Sequence, residues 1–125
     1  MLDRIDIHID TPQVAFEKLE AGDGAPSKDI RARVIQARAI QQERFRDLPL
    51  STNSEMGLRE IKQFIPIKET LKPILKLAHE RFQLSARAYH RVLKLARTIA
   101  DLAQSADIAE HHLSEALQYR PRQEV

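Results

Sequence analysis

Residues 86–103 carry the clearest helical pattern in the chain. Apolar side chains recur there every three or four residues; they are Tyr89, Val92, Leu93, Ala96, Ile99, Ala100 and Ala103. This period places them along one face of an α-helix, which must be buried against other elements. Ser85 stands at the N-cap, and Leu84 and Tyr89 occupy the two positions of a hydrophobic staple. The sequence therefore predicts an amphipathic helix over residues 86–103.

Four further segments have helical spacing: residues 28–46, 58–64, 68–82 and 108–119. Ser27 is the predicted cap of the first, and Asp107 and Glu110 have the spacing of a capping box for the last. Pro73 predicts a late start or a kink in the third, since proline is tolerated only in the first turn. The side chains expected to be buried in the first two are Ile30, Val34, Ala37, Ile40, Phe45, Leu58, Ile61 and Phe64. The predicted fold class is mostly α, a bundle of five to six helices.

Residues 3–10 differ from the rest because they alternate with a period of two. Ile5, Ile7 and Ile9 fall on one face and charged or polar residues on the other, which predicts a half-buried β-strand. A lone strand cannot satisfy its backbone N–H and C=O groups, and no second strand of comparable quality follows. Either it pairs with another molecule, or its sheet lies upstream, or the segment packs on the helices as an extended arm.

The upstream sheet is the simplest of these explanations and gives a domain division. Residues 1–20 are then the end of a preceding α/β domain, with strand 3–10 and a short helix over residues 13–19. A linker over residues 21–27 contains two of the three glycines beside a proline. Residues 28–120 form the helical domain, and residues 121–125 a charged tail.

Composition limits the possible functions. The absence of cysteine excludes disulfides and zinc–thiolate sites, and no histidine pair has the spacing of a metal site, so no metal is expected. The net charge of +2 means that any nucleic-acid affinity must come from local clusters of Lys and Arg. No apolar run is long enough to cross a bilayer, so no membrane partner is expected. A cytoplasmic location is compatible with this composition.

Three blocks of the sequence resemble one family of ATPases. Residues 2–9 resemble the end of the AAA+ core in the magnesium-chelatase-like ATPases, the YifB/ComM group. Residues 85–102, SARAYHRVLKLARTIADL, resemble the lid helix of that group, and residues 108–120 its closing segment. The resemblance implies the helical lid of a ring-forming ATPase, expected as a homohexamer whose partners are its own AAA+ core and the neighbouring subunits. It also implies ATP and Mg²⁺ in the full-length protein, and DNA branch migration of the competence type.

The chain lacks part of the chemistry of such a motor. No G-x-x-x-x-G-K-[ST] phosphate loop occurs in it, so the fragment alone is expected neither to hydrolyse ATP nor to bind a cofactor. It can supply positive charge where the γ-phosphate becomes negative. By resemblance, Arg87 is the candidate sensor II residue, and Arg91 and Lys94 extend a phosphate-facing row. Arg4, in the context Arg4-Ile5-Asp6, is the candidate arginine finger.

Two other interpretations remain open. The cations of the lid helix also fit a solvated basic face, which is the commoner role of such residues. The whole chain also fits an autonomous helical domain that binds nucleic acid or another protein. Its nucleic-acid surface would lie on one of two helices. The basic residues are Arg31, Arg33, Arg38 and Arg44 on helix 28–46, or Arg87, Arg91 and Lys94 on helix 86–103.

Overall fold

One helix, predicted from its apolar stripe, lies at the centre of the protein. The computed structural model describes residues 6–9 and 26–120. The helices of the described part are α1 (Ser27–Arg44), α2 (Leu58–Phe64), α3 (Lys72–Phe82), α4 (Ala86–Leu102) and α5 (Glu110–Gln118). A short 3-10 helix, η1 (Asn53–Glu55), lies between α1 and α2. Helix α4 contacts α1, η1, α2 and α5, so the predicted helical bundle is confirmed.

Both ends of α4 follow from local chemistry. The backbone N–H of Ala88 donates to Ser85 Oγ at 3.1 Å, which confirms the predicted cap. At the other end Gln104 adopts a left-handed φ of 57°, and the N–H of Ser105 donates to the carbonyl of Ala100 at 2.8 Å. With the bond from the Gln104 N–H to the carbonyl of Asp101, this is a Schellman motif. The helix therefore ends before the chain turns towards α5.

The core is built around α4. Its buried small side chains, Ala96 and Ala100, are fully covered. The other members of the apolar core come from every helix except α1 and from the loops; they are Phe45, Met56, Ile61, Ile65, Leu71, Leu75, Ala78, Val92, Leu93, Ile108, Leu113, Ala116 and Leu117. The ring of Phe45 meets that of Phe64 edge to face, with centroids 5.3 Å apart. The loops that join the helices are thus part of the core.

Helix α1 differs from its prediction at both ends and along its face. It begins at Ser27 with Pro26 at the N-cap position and no side-chain cap, so the proposed Ser27 cap is wrong. Only Ala37 and Gln41 are buried within it, whereas Ile30 and Val34 are exposed. Every residue from 26 to 36 is exposed, which indicates that the first half of α1 extends past the bundle. Ile30 and Val34 therefore have no element of the described chain to pack against.

The two short helices after α1 are close to their predictions. Helix α2 has the predicted bounds, and the N–H of Gly57 donates to Glu60 Oε1 at 3.0 Å at its start. Its Leu58 is exposed, contrary to expectation, because it lies in the first turn at the edge of the bundle. Helix α3 begins late, at Lys72, which places Pro73 in the first turn where proline is tolerated. The late start predicted from Pro73 is therefore confirmed.

Helix α5 begins two residues later than predicted, and its cap is a different residue. The carboxylate of Asp107 pairs with Lys68 Nζ at 3.0 Å and takes no part in capping, so the proposed Asp107–Glu110 capping box is wrong. Instead, the N–H of Ala109 donates to His112 Nδ1 at 2.9 Å. Ile108 lies outside the helix but remains in the core.

The predicted N-terminal strand is not observed in its described part. Residues 6–9 form no strand, and the side chains of Ile7 and Ile9 are exposed. The described residues offer no second strand to pair with, which is the physical reason. The segment instead lies against the helices, with the N–H of His8 donating to the carbonyl of Tyr119 at 2.8 Å. Residues 3–5 and 10 of that prediction, the short helix over residues 13–19, linker residues 21–25 and the tail lie outside the described residues.

Candidate functional site

Arg87 lies in the first turn of α4, two residues after its cap. Its side chain is exposed, and it makes no hydrogen bond or ion pair with any described residue. The backbone N–H groups of a first helical turn are positively polarised and favour anions. A cation at this position is therefore unfavourable for the isolated helix, and an anion bound there would remove the conflict.

Arg91 and Lys94 lie on the same side of α4 as Arg87 by their spacing, but both are engaged. Arg91 Nε lies 3.1 Å from Asp6 Oδ1, and its side chain is only 15% exposed. Lys94 Nζ donates to the carbonyl of Ser54 at 3.1 Å, which ties α4 to η1. Among the cationic side chains of α4, Arg87 is thus the one without a partner in the part of the chain that the structure describes. The candidate finger Arg4 lies outside that part.

A buried charge cluster, unforeseen from the sequence, joins α1, η1 and α4. The Nη atoms of Arg44 reach both oxygens of Asp101 at 2.7 and 2.8 Å, and one of them also donates to Asn53 Oδ1 at 2.8 Å. Asn53 Nδ2 donates to Asp101 Oδ2 at 2.9 Å and to Thr98 Oγ1 at 3.0 Å. The Asp101 carboxylate is fully buried. Two-point contacts of this kind fix position as well as contributing energy.

Arg97 is the second cation of this cluster. Its Nε donates to Asp101 Oδ1 at 3.2 Å, and its two Nη atoms donate to the carbonyls of Ala106 at 3.0 Å and Ser105 at 2.7 Å. Burial lowers the pKa of Arg97, and Arg44 lowers it further, while Asp101 opposes both. The signal that could have indicated the pair was Arg97 and Asp101 at i, i+4 spacing. Its link to Arg44 spans 57 residues, which no local pattern shows.

The buried charge cluster changes which arginines of α1 could contact a nucleic acid. Arg31, Arg33 and Arg38 are exposed, as that interpretation requires. Arg44 is held by Asp101 and Asn53, so it is unavailable to a phosphate backbone, and its place in that surface is a correction. The exposed basic surface of α1 is therefore restricted to its first two-thirds.

The histidines differ in exposure: His79 and His111 are exposed, His8 and His90 are partly buried, and His112 is buried. No group of three or more His, Asp or Glu side chains in residues 6–9 and 26–120 is arranged to hold a metal ion. His112 is buried, and its ring caps α5. Burial is the main cause that lowers the pKa of His112, and the neighbouring His111 and Arg97 lower it further. The neutral ring, which can accept the Ala109 N–H, is therefore the favoured form.

Comparison with known proteins agrees with this fold. Residues 24–120 match the family described as the C-terminal region of magnesium chelatase, subunit ChlI. The chain belongs to this family, and it is the C-terminal helical lid domain of a magnesium-chelatase-like AAA+ protein. None of the described helices combines the length and apolar content that a bilayer crossing requires.

Individual relatives cover almost the whole chain. The competence protein ComM of Haemophilus influenzae is 38% identical over 121 residues, which is 95% of this chain and 23% of ComM. YifB of Escherichia coli is 35% identical over the same share of each chain. A protein of Mycobacterium bovis, Mb2921c, is 31% identical over 96% of this chain and 24% of its own length. The chain thus spans about a quarter of these relatives.

Proposed function

We propose that this lid serves a ring-forming ATPase, and that Arg87 contacts the γ-phosphate of ATP as its sensor II residue. The observation that carries the proposal is which cations of α4 have a partner within the protein. Arg91 and Lys94 have partners within the protein, whereas Arg87 has none among the described residues. An exposed guanidinium beside the N–H groups of a first helical turn fits a phosphate group, which would satisfy both.

The chemistry of phosphoryl transfer explains why such a residue matters. ATP with Mg²⁺ supplies the transferable phosphoryl group and the metal charge when bound in the full-length protein. The contribution of this chain is positive charge placed where negative charge develops on the γ-phosphate. Arg4 is the proposed arginine finger for a neighbouring subunit. Arg91 and Lys94 are proposed to face the phosphates after exchanging their present partners.

The proposed partners of the lid are its own AAA+ core and the neighbouring subunits of a homohexamer. Helix α1 supports this proposal because its apolar face does not end with the bundle. Ile30 and Val34 continue the row of Ala37 and Gln41, at spacings of three and four, but are 49% and 43% exposed. We define Ile30 and Val34 as the overhanging face. Covering it with the core of the motor would bury apolar surface that the lid leaves in water.

The substrate of the proposed motor is DNA, as in branch migration during competence. The support for this step is the likeness to ComM, which is named a competence protein. A ring of this kind would be a cytoplasmic enzyme, because ATP and DNA meet there. The lid would act on DNA through the ATPase cycle and without a groove-reading element of its own.

The test uses the full-length protein with Arg87→Ala and, as a matched control, Arg59→Ala. Arg59 is another exposed arginine, in the first turn of α2. Removing one donor to a developing negative charge lowers turnover by about a hundredfold or more. We expect that loss for Arg87→Ala with nucleotide binding retained, and normal turnover for Arg59→Ala. Normal hydrolysis by both variants would refute the sensor assignment.

A second candidate function is direct binding of nucleic acid by the lid, favoured by the exposed Arg31, Arg33 and Arg38 on α1. A salt titration of DNA binding by the 125-residue chain distinguishes the two. Binding whose affinity falls steeply as the salt concentration rises supports this candidate. In Arg38→Gln the slope of log affinity against log salt concentration should lose the contribution of one released counterion. Weak binding without a steep salt dependence supports the lid function alone.

A further inference from the structure

A small cleft opens between two loops on the side of α4 that carries Arg97. One wall is the loop from α2 to α3, with Phe64 and Ile65, and the other is the loop from α4 to α5, with Ile108. The cleft has a volume of about 280 Å³. Binding sites for drug-sized ligands begin at about 300 Å³, so this cleft fits only a smaller molecule. Ile65 and Ile108 are core residues, so its walls are firmly held.

Positive charge lies at the base of this cleft. Arg97, which lines it, makes three hydrogen bonds, to Asp101, Ala106 and Ser105. A guanidinium carries five N–H groups. Because Nη2 also lies 3.2 Å from Asp101 Oδ1, one N–H group, on Nη1, is left without a partner among the described residues. Arg44 shares the single Asp101 carboxylate with Arg97. Two cations and one anion leave this buried cluster with a net charge of +1.

An ion pair crosses the mouth of the cleft. Lys68 Nζ of the first loop meets Asp107 Oδ2 of the second at 3.0 Å, with the two side chains 57% and 68% exposed. An exposed pair of this kind is weak, so an incoming anion can replace Asp107 at little cost. The cleft thus offers one exchangeable cation at its mouth and one buried cation at its base.

We propose that this cleft binds a small organic carboxylate, an anion with an apolar body of about the size of benzoate. The carboxylate would lie near Lys68 and Arg97, and the apolar body would pack against Phe64, Ile65 and Ile108. The apolar walls favour such a body over a bare inorganic anion. A single negative charge neutralises the net charge of the cluster, whereas a dianion would leave excess buried charge.

The first experiment titrates three probes into the 125-residue chain at constant ionic strength, followed by backbone amide NMR. Sodium benzoate is expected to shift the amides of Ile65, Ile67 and Lys68 and those of residues 106–108. Benzyl alcohol, which lacks the charge, is expected to bind about tenfold more weakly, equivalent to the loss of one charged contact. Inorganic phosphate is expected to produce no saturable shift at these positions. If phosphate shifts the same amides with the same affinity as benzoate, the proposal is overturned.

Four variants test the site through residues at or near the mouth of the cleft, so that the buried Arg97 is left unaltered. Lys68→Gln should weaken benzoate binding by about fivefold to tenfold, and Asp107→Asn should strengthen it by a similar factor. The controls are Lys72→Gln and Glu69→Gln, because Lys72 is 58% exposed and pairs with exposed Glu69 at 2.7 Å. Both controls should bind benzoate as the unaltered chain does. If Lys68→Gln and Lys72→Gln have the same affinity, the cleft is not the site.

Discussion

At the scale of single residues, Asp101 has the largest structural role that the sequence did not reveal. Its carboxylate is the shared partner of Arg44 and Arg97, and through Asn53 it also fixes η1. Replacing a buried ion pair by apolar groups is often neutral, but removing one partner leaves buried charge unpaired. Asp101 therefore determines whether α1 and α4 can be held together at this point.

We predict that Asp101→Ala lowers the free energy of unfolding by about 3–5 kcal/mol, the usual cost of breaking a buried charge pair. The measurement is urea unfolding of the 125-residue chain. The control is Glu43→Ala, since Glu43 pairs with Arg46 at the surface. Such exposed pairs contribute about 0–1 kcal/mol. A similar, small effect of both variants would show that the cluster does not hold the helices together.

His112 makes stability depend on pH. Burial lowers its pKa in the folded protein below the ordinary value of about 6.5, so the unfolded chain binds the proton more readily. Stability is then fully present above the ordinary pKa and is lost as the pH falls below it. Protonation also removes the acceptor that caps Ala109.

We therefore predict that the free energy of unfolding falls between pH 7.5 and pH 5.5, and that His112→Gln reduces this fall. Glutamine supplies a neutral acceptor at the third helical position, where capping boxes use it. His79→Gln, on the exposed side of α3, is the control and should keep the pH dependence. If His112→Gln and the unaltered chain have parallel profiles, His112 is not the titrating group.

At the scale of elements, the sequence predicted helices better than it predicted what covers them. Helix α4 was predicted because its stripe, cap and staple agree, and the late start of α3 followed from Pro73. The overhanging face was predicted as buried because periodicity shows which side of a helix is apolar but not whether a partner is present. The cap of α5 was wrong because Asp107 has a partner in Lys68, 39 residues away. The cap of α1 was wrong because the helix begins one residue earlier, with Pro26 at the N-cap position.

The two ends of α1 should contribute differently to the free energy of unfolding. Ile30→Ala together with Val34→Ala should change the free energy of unfolding of the chain by less than about 1 kcal/mol, because both residues lie at the surface and lose little burial. Phe45→Ala, at the end of the same helix, should cost about 3–5 kcal/mol, because Phe45 is 1% exposed. Chemical unfolding measures both. A large loss from the double variant would mean that the first half of α1 has a partner within the chain.

In the full-length protein a different double variant, with Glu at positions 30 and 34, tests whether this face is an interface. If the overhanging face meets the core of the motor, replacing Ile30 and Val34 by Glu should weaken assembly or turnover while the lid alone remains folded. Lys28→Glu, an exposed change in the first turn of α1, is the control. Normal assembly of the double variant would remove the support that α1 gives to the proposed interface.

At the scale of the whole molecule, the helical bundle carries Arg87 as the one cation of α4 without a partner among the described residues. The fold class and the family could be predicted from the sequence, since helical periodicity and a long specific block carry them. The charge cluster could not, because Arg44, Asn53 and Asp101 come together only in the folded chain. This cluster holds α4, and with it Arg87, in a fixed place relative to α1.

The most direct measurement is a structure of the full-length protein with Mg²⁺ and a non-hydrolysable ATP analogue. We predict that a guanidinium nitrogen of Arg87 lies at hydrogen-bond distance, about 2.7–3.2 Å, from an oxygen of the γ-phosphate of its own or a neighbouring subunit. Arg59 should face solvent in the same structure. An Arg87 that remains in solvent, with the γ-phosphate held by other residues, would contradict the central claim.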